Sequence, residues 1–202
     1  MLASGRGTNL LALLAAAAEE SYPAQVVAVA SNRPSCPALR AAREHLIPAA
    51  GFPASAFGGD SERRDQEMAA WLFAQGARIL VLAGYDRILG PALLTAFPGR
   101  ILNVHNSLLP AFSGTMRAVA QALEHGVKVT GCTVHLVDQG APDGGPIVMQ
   151  AAVPVLEHDT EETLLTRIHQ QEWRILPAAL ALLAEDRIRV EGRRVRILEV
   201  GG

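Results

Sequence analysis

The residues best suited to chemistry lie in the stretch Asn103-Val104-His105-Asn106-Ser107-Leu108-Leu109-Pro110. Side chains alternate faces along an extended strand, so Asn103 and His105 share one. Asparagine offers a neutral N–H donor to a carbonyl oxygen, and histidine takes or gives a proton near neutral pH. The pair suits attack on a carbonyl, one group stabilising the oxyanion while the other moves protons. It reads equally as a satisfied polar pair at a strand end. Asp143, within Asp138-Gln139-Gly140-Ala141-Pro142-Asp143-Gly144-Gly145-Pro146, is open to two readings as well. It is either an ordinary turn aspartate or a carboxylate held against His105 that favours the charged imidazolium.

Two more loops carry polar residues. Ser4-Gly5-Arg6-Gly7-Thr8-Asn9 lies between an apolar start and a helix-like run. Its glycines let the backbone approach a ligand, and the helix start presents N–H groups to an anion such as phosphate. The loop lacks the lysine of a Walker loop and the third glycine of a dinucleotide loop. The other reading is a glycine turn with Thr8 or Asn9 as helix cap. Ala83-Gly84-Tyr85-Asp86-Arg87-Ile88-Leu89 follows a buried-strand pattern; alone it reads as a plain strand-to-helix turn with a solvated arginine.

The elements that must position these loops are legible as alternating patterns. Apolar, β-branched runs predict strands over 25–31 (QVVAVAS), 78–83, 100–104, 129–137 and 147–155. Helix-like segments fall at 8–20, 36–45, 62–75, 116–125 and 161–185. The last begins Asp159-Thr160-Glu161-Glu162, a capping residue followed by acids in the first turn, and Pro177 is expected to interrupt it. The tail, 187–200, reads as a hairpin turning at Glu191-Gly192. The alternation predicts an α/β fold, a single Rossmann-like domain over 1–202 with a mostly parallel sheet flanked by helices. In such sheets ligands bind outside the carboxyl ends of the strands, where all four loops fall.

Composition narrows the function classes. A hydrophobic fraction of 50% over 202 residues permits a large core, and 19% charged residues with a net charge of −2 exclude a disordered polyelectrolyte. The absence of a basic excess argues against nucleic acid as partner, and 4% aromatics against base stacking. No apolar run approaches membrane-span length, and no signal peptide is recognised at the start. A cytoplasmic protein is expected. Cys36 and Cys132 lack metal-ligand spacing, so no metal is expected and both read as reduced thiols.

Jointly, SGRGTN, AGYDRIL, NVHNSLLP and TGCTVHLVD followed by DGGPIVMQ resemble, in order and spacing, the folate-dependent formyltransferase superfamily. The resemblance spans most of the chain and is nearest to the branch acting on phosphoribosylglycinamide (GAR). It implies transfer of a formyl group from the co-substrate 10-formyltetrahydrofolate to the primary amine of GAR, a step of purine (IMP) biosynthesis. It also implies a catalytic trio of Asn103, His105 and Asp143. By the same resemblance Gly7, Thr8 and Asn9 hold the GAR phosphate and Glu172 contacts the ribose. Arg87, Ile88 and Leu89 line the folate pocket together with Asn103, Gly140, Ala141 and Asp143. Thr133 and His135, on the neighbouring strand, are expected to stand one layer behind the trio. The partners implied are these two small molecules, with no membrane, for a monomer or homodimer. The chain's length leaves no room for the tRNA-reading or regulatory appendages of related branches. Several positions depart from the pattern. The start Met1-Leu2-Ala3 implies a truncated first strand; Asn106 replaces proline and Asp86 replaces methionine. The stretch TMRAVAQAL, from Thr115, is one residue longer than usual and lacks a histidine, with Arg117 nearby; Ser61 stands for an arginine, with Arg63 and Arg64 close by; and Trp173 replaces histidine.

Overall fold

The computed structural model describes residues 1–139 and 142–199. The expectations placed on Gly140 and Ala141 lie outside the described residues. The α/β class expected from the alternating pattern is the class observed. The chain divides into two compact units, Met1–Leu102 and Asn103–Gly202, each built around its own strands.

In the first unit the opening residues form a minimal strand. The Leu2 N–H donates to the Val81 carbonyl at 2.8 Å, and the Ala83 N–H donates to the Leu2 carbonyl at 3.1 Å. On the other side the Ala30 N–H donates to Met1 at 2.9 Å, and the Ala3 N–H donates to Ala30 at 3.2 Å. Leu2, fully buried, thus bridges in parallel to β1 (Val29–Ser31) and to β3 (Leu80–Ala83). β1 pairs in parallel with β2 (Ala49–Gly51). The predicted strand over 25–31 shrinks to three residues because its ladder partners meet only its end, and Val27 stays exposed.

Four helices accompany these strands: α1 (Thr8–Ala17), α2 (Pro37–Glu44), α3 (Ser61–Ala74) and α4 (Pro91–Ala96). Asp60 caps α3 by accepting from the Arg63 N–H at 3.0 Å. A buried ion pair on α3 fastens the loop after β3. The Arg64 guanidinium donates to Asp65 Oδ1 through Nε at 2.9 Å and Nη2 at 2.7 Å. Asp65 Oδ2 accepts the Gly90 N–H at 2.8 Å.

In the second unit β4 (Ile101–His105), which starts in the last two residues of the first, neighbours β5 (Val129–Leu136) in the sheet. β5 pairs antiparallel with β6 (Ile147–Pro154). Gly131 is required in this ladder, since a Cβ there would stand 2.0 Å from the Ala151 carbonyl oxygen. α5 (Ala118–Glu124) and the long α6 (Glu161–Ala184) complete the packing, with α6 lying on β5 and β6. The Thr160 hydroxyl accepts from the Thr163 N–H at 3.2 Å, and Thr163 returns the contact at 3.0 Å, closing the expected cap. Pro177 does not interrupt α6, contrary to expectation. Ile175, Leu176, Ala179 and Leu180 around it are buried, and their packing offsets the backbone bond that proline forfeits. The expected hairpin is β7 (Ile188–Glu191) with β8 (Arg194–Ile197). Among the described residues no helix is long and apolar enough to cross a membrane.

The Arg64–Asp65 pair yields a stability prediction. Asp65→Ala strands a buried guanidinium and releases Gly90, so urea unfolding should show a loss of about 3–5 kcal/mol. A loss below about 1 kcal/mol, the range of exposed pairs, would contradict the role given to this pair.

Candidate active site

β4 delivers Asn103 and His105 to one face, as alternation requires, and the turn before β6 delivers Asp143 to them. The Asn103 amide nitrogen donates to Asp143 Oδ1 at 3.3 Å and sits 3.0 Å from His135 Nε2. His105 Nδ1 faces Asp143 Oδ2 at 3.5 Å. Its Nε2 lies 2.9 Å from the Phe112 carbonyl oxygen, which can only accept, so Nε2 carries hydrogen. Asp143 Oδ2 also accepts the Gly114 N–H at 2.8 Å, and Oδ1 stands 3.5 Å from His135 Nε2. Of the expected trio, all three members meet at this one carboxylate.

The carboxylate's ionisation follows from these neighbours. Burial pushes the Asp143 carboxyl up. The hydrogen bond with His135, the charge of His105 and the Gly114 N–H together outweigh that, leaving it below the usual carboxylate value. It is therefore ionised at neutral pH.

Supporting groups hold the loop after β4. The Thr133 hydroxyl donates to the Ser107 carbonyl at 2.7 Å and accepts the Leu109 N–H at 3.0 Å. Gln150 Nε2 donates to Thr133 Oγ1 at 2.9 Å and to the Leu109 carbonyl at 3.0 Å. This lattice fixes the start of the loop whose Phe112 carbonyl receives His105. Thr133 thus stands behind the trio, as expected. His135, buried, touches two of the trio, Asn103 and Asp143, as a residue one layer behind them does. Period-two spacing from Gly131 and Thr133 gives its face, and the β5–β6 register slips between Val134 and His135.

Glu172 is 2% exposed on α6. Burial pushes the nearby Cys132 thiol up to about 12, with the Glu172 charge adding to the effect. Cys132 thus supplies no thiolate near neutral pH. Ser107 is wholly buried, and its hydroxyl is committed to the Ala111 carbonyl. The array offers a donor, an imidazole and a carboxylate but no activated side-chain nucleophile, so the attacking atom comes from a substrate or from water. Among the described residues no three His, Cys, Asp or Glu side chains are grouped to hold a metal.

The remaining expected residues lie in the first unit. Gly7 takes a left-handed conformation (φ 82°) as the N-cap of α1, with no side-chain cap. This corrects the alternative in which Thr8 or Asn9 caps the helix. A Cβ on Gly7 would stand 2.9 Å from Ala38 Cα, so the position requires glycine. The first turn of α1 thus starts at Thr8 behind a glycine N-cap, with no side-chain cap. In the loop after β3, Arg87 is exposed, Leu89 is buried, and Ile88 is 78% exposed.

The Asp143 carboxylate predicts a pH signature. Because its native pKa is depressed, its contribution to stability is full above about 3.9, the unfolded value, and fades as pH falls through the lower native value. Asp143→Asn should therefore be less stable than the parent at pH 7, with the gap narrowing below about pH 4. A gap that stays constant in urea titrations down to pH 2 would contradict the assignment.

Comparison with known proteins identifies the family. Residues 1–180 match the formyl transferase family model. A phosphoribosylglycinamide formyltransferase of Mycobacterium tuberculosis is 48% identical over 96% of this chain and 87% of its own length. A Bacillus subtilis protein of the same name is 38% identical over 91% of this chain and 92% of its own. Among solved structures, glycinamide ribonucleotide transformylase 1 from Symbiobacterium toebii superposes with a TM-score of 0.93. It is 50% identical and covers 98% of this chain and 92% of that one.

Proposed function

The chain belongs to the formyl transferase family, and we propose that Asn103, His105 and Asp143 carry the transfer of a formyl group from 10-formyltetrahydrofolate to the primary amine of GAR. The observation that carries this reading is the convergence of all three on one carboxylate, with no activated side-chain nucleophile beside them. The amine of GAR is the nucleophile. It attacks the formyl carbon, the C=O electrons move onto oxygen, and a tetrahedral oxyanion forms.

Asn103 meets that oxyanion. Its bond to Asp143 is the longer of its two contacts at 3.3 Å, and it is the one exchanged for the formyl oxygen. His105 supplies positive charge and a proton to the developing species, oriented by Phe112 on one nitrogen and Asp143 on the other. Asp143, already ionised, accepts the proton the attacking ammonium loses, directly or through water. The oxyanion electrons then re-form the C=O and the C–N bond to the folate nitrogen breaks; that nitrogen takes the proton from His105, which Asp143 restores with the one it accepted, to give formyl-GAR and tetrahydrofolate.

The rest of the assignment follows the same reading. The GAR phosphate sits on the first turn of α1 at Gly7, Thr8 and Asn9, and Glu172 holds the ribose. Arg87, Ile88 and Leu89, with Asn103, Gly140, Ala141 and Asp143, bound the folate, largely through backbone groups. Residues 1–202 act as one formyltransferase domain in the cytoplasm, with no metal required.

Purified protein given both substrates should produce formyl-GAR in step with tetrahydrofolate, and folate release should require GAR. Equal release of folate and formate without GAR would replace this reading with a formyl hydrolase. Calorimetric binding of both ligands with no turnover would replace it with a binding module.

A further inference from the structure

The catalytic assignment leaves unused a closed polar ring in the first unit. The Ser4 hydroxyl donates to Asn32 Oδ1 at 2.6 Å. The Asn32 amide nitrogen donates to Asp86 Oδ1 at 2.8 Å. The Asp86 backbone N–H donates back to Ser4 Oγ at 3.1 Å. The Arg33 guanidinium pairs with Asp86 Oδ2 from outside the ring. Ser4 and Asn32 are 6% and 9% exposed, and the Asp86 side chain 18%, so these bonds are largely shielded from water.

Each member sits at a different strand end. Ser4 follows the opening residues and leads into Gly7; Asn32 follows β1; Asp86 follows β3 and immediately precedes Arg87, Ile88 and Leu89. Backbone bonds reinforce the union: the Ser4 N–H donates to Gly84 at 3.0 Å, and the Ala38 N–H donates to Gly5 at 3.1 Å. A shielded carboxylate is costly unless its oxygens are satisfied, and here Asn32 and Arg33, both from the loop after β1, satisfy them, while the Asp86 N–H ties the same residue to Ser4. An exposed ion pair with Arg33 alone, whose side chain is 61% exposed, would be worth little.

We infer that Asp86 is a positioning residue that locks the loop bearing the phosphate site and the loop bearing the folate wall into one body. This rests on the ligand assignments proposed above. Asp86 touches neither reacting group, so its loss weakens ground-state binding of both ligands and leaves the chemical step alone. Asp86→Ala and Asn32→Ala remove the same side-chain bond between the loops after β3 and β1, so the two cuts do not add.

The test is steady-state kinetics on Asp86→Ala, Asn32→Ala and the double variant, below their melting temperatures. Asp86→Ala should raise KM for GAR and for 10-formyltetrahydrofolate each by about tenfold, the scale of one lost hydrogen bond, with kcat within about twofold. Asn32→Ala should match it, and the double variant should be no worse than either. Asp86→Asn, which keeps an acceptor for Asn32, should stay within about threefold of the parent. This conservative variant decides the matter if Asp86→Ala fails to fold, since a merely electrostatic role would make it as poor as alanine. A lowered Tm with both KM values unchanged, a change in one KM only, or a loss confined to kcat would overturn the proposal. If the parent itself shows no GAR-dependent transfer, the activity reading fails. Calorimetry with ribose 5-phosphate and with tetrahydrofolate then decides the coupling separately: both affinities must fall in Asp86→Ala, and unchanged affinities refute it.

Discussion

The second unit is organised around the need to satisfy one carboxylate. Asp143 is drawn into a half-buried position where an isolated charge would be unfavourable. It is stabilised by the Asn103 amide, the Gly114 N–H and two imidazoles, those of His105 and His135. These donors come from β4, the loop after it and β5. The requirement on Asp143 therefore fixes the relative placement of three segments. Gly145 is part of the same constraint, because a Cβ there would stand 1.8 Å from the Leu136 carbonyl oxygen. The turn must pass this close to β5 for Asp143 to reach its partners.

The first unit solves a different problem with equal economy. Met1, Leu2 and Ala3 hydrogen-bond on both sides, to β1 and to β3. Full burial of Leu2 between them compensates for the short ladder. The loops that leave these strand ends are then tied by side chains: Asp65 to Gly90 at the far end of the loop after β3, and Asp86 to Asn32 and Arg33 near its start. An α/β unit with little strand still presents well-held loops when polar groups do the holding.

Much of this was legible in the residues. β-Branched runs marked β3, β4 and β5 within a few residues, and the period of two placed Asn103 and His105 together. Thr160 with its following acids announced the start of α6. What escaped is instructive in physical terms. β2 consists of Ala49, Ala50 and Gly51, residues without strand preference, and forms only because the edge of β1 offers a partner. α4 is six residues long and shows too little periodicity to stand out. Asp86 and Ser4 meet across 82 residues, a pairing no local pattern encodes. His135 was on the expected face, but its contact with Asn103 spans 32 residues, a pairing no local pattern encodes. Asp143 was ambiguous because a turn aspartate and a catalytic one look alike until their neighbours are known.

The central claim is that Asn103 acts on the transition state, through an oxyanion that exists only during transfer. The most direct measurement compares turnover with GAR affinity in Asn103→Ala. Turnover should fall by about a hundred- to a thousandfold, the usual cost of one oxyanion donor. GAR affinity measured by calorimetry should change by less than about threefold, because the amide is not needed to bind the ground state. Wild-type turnover, or a loss of affinity as large as the loss of turnover, would contradict the account.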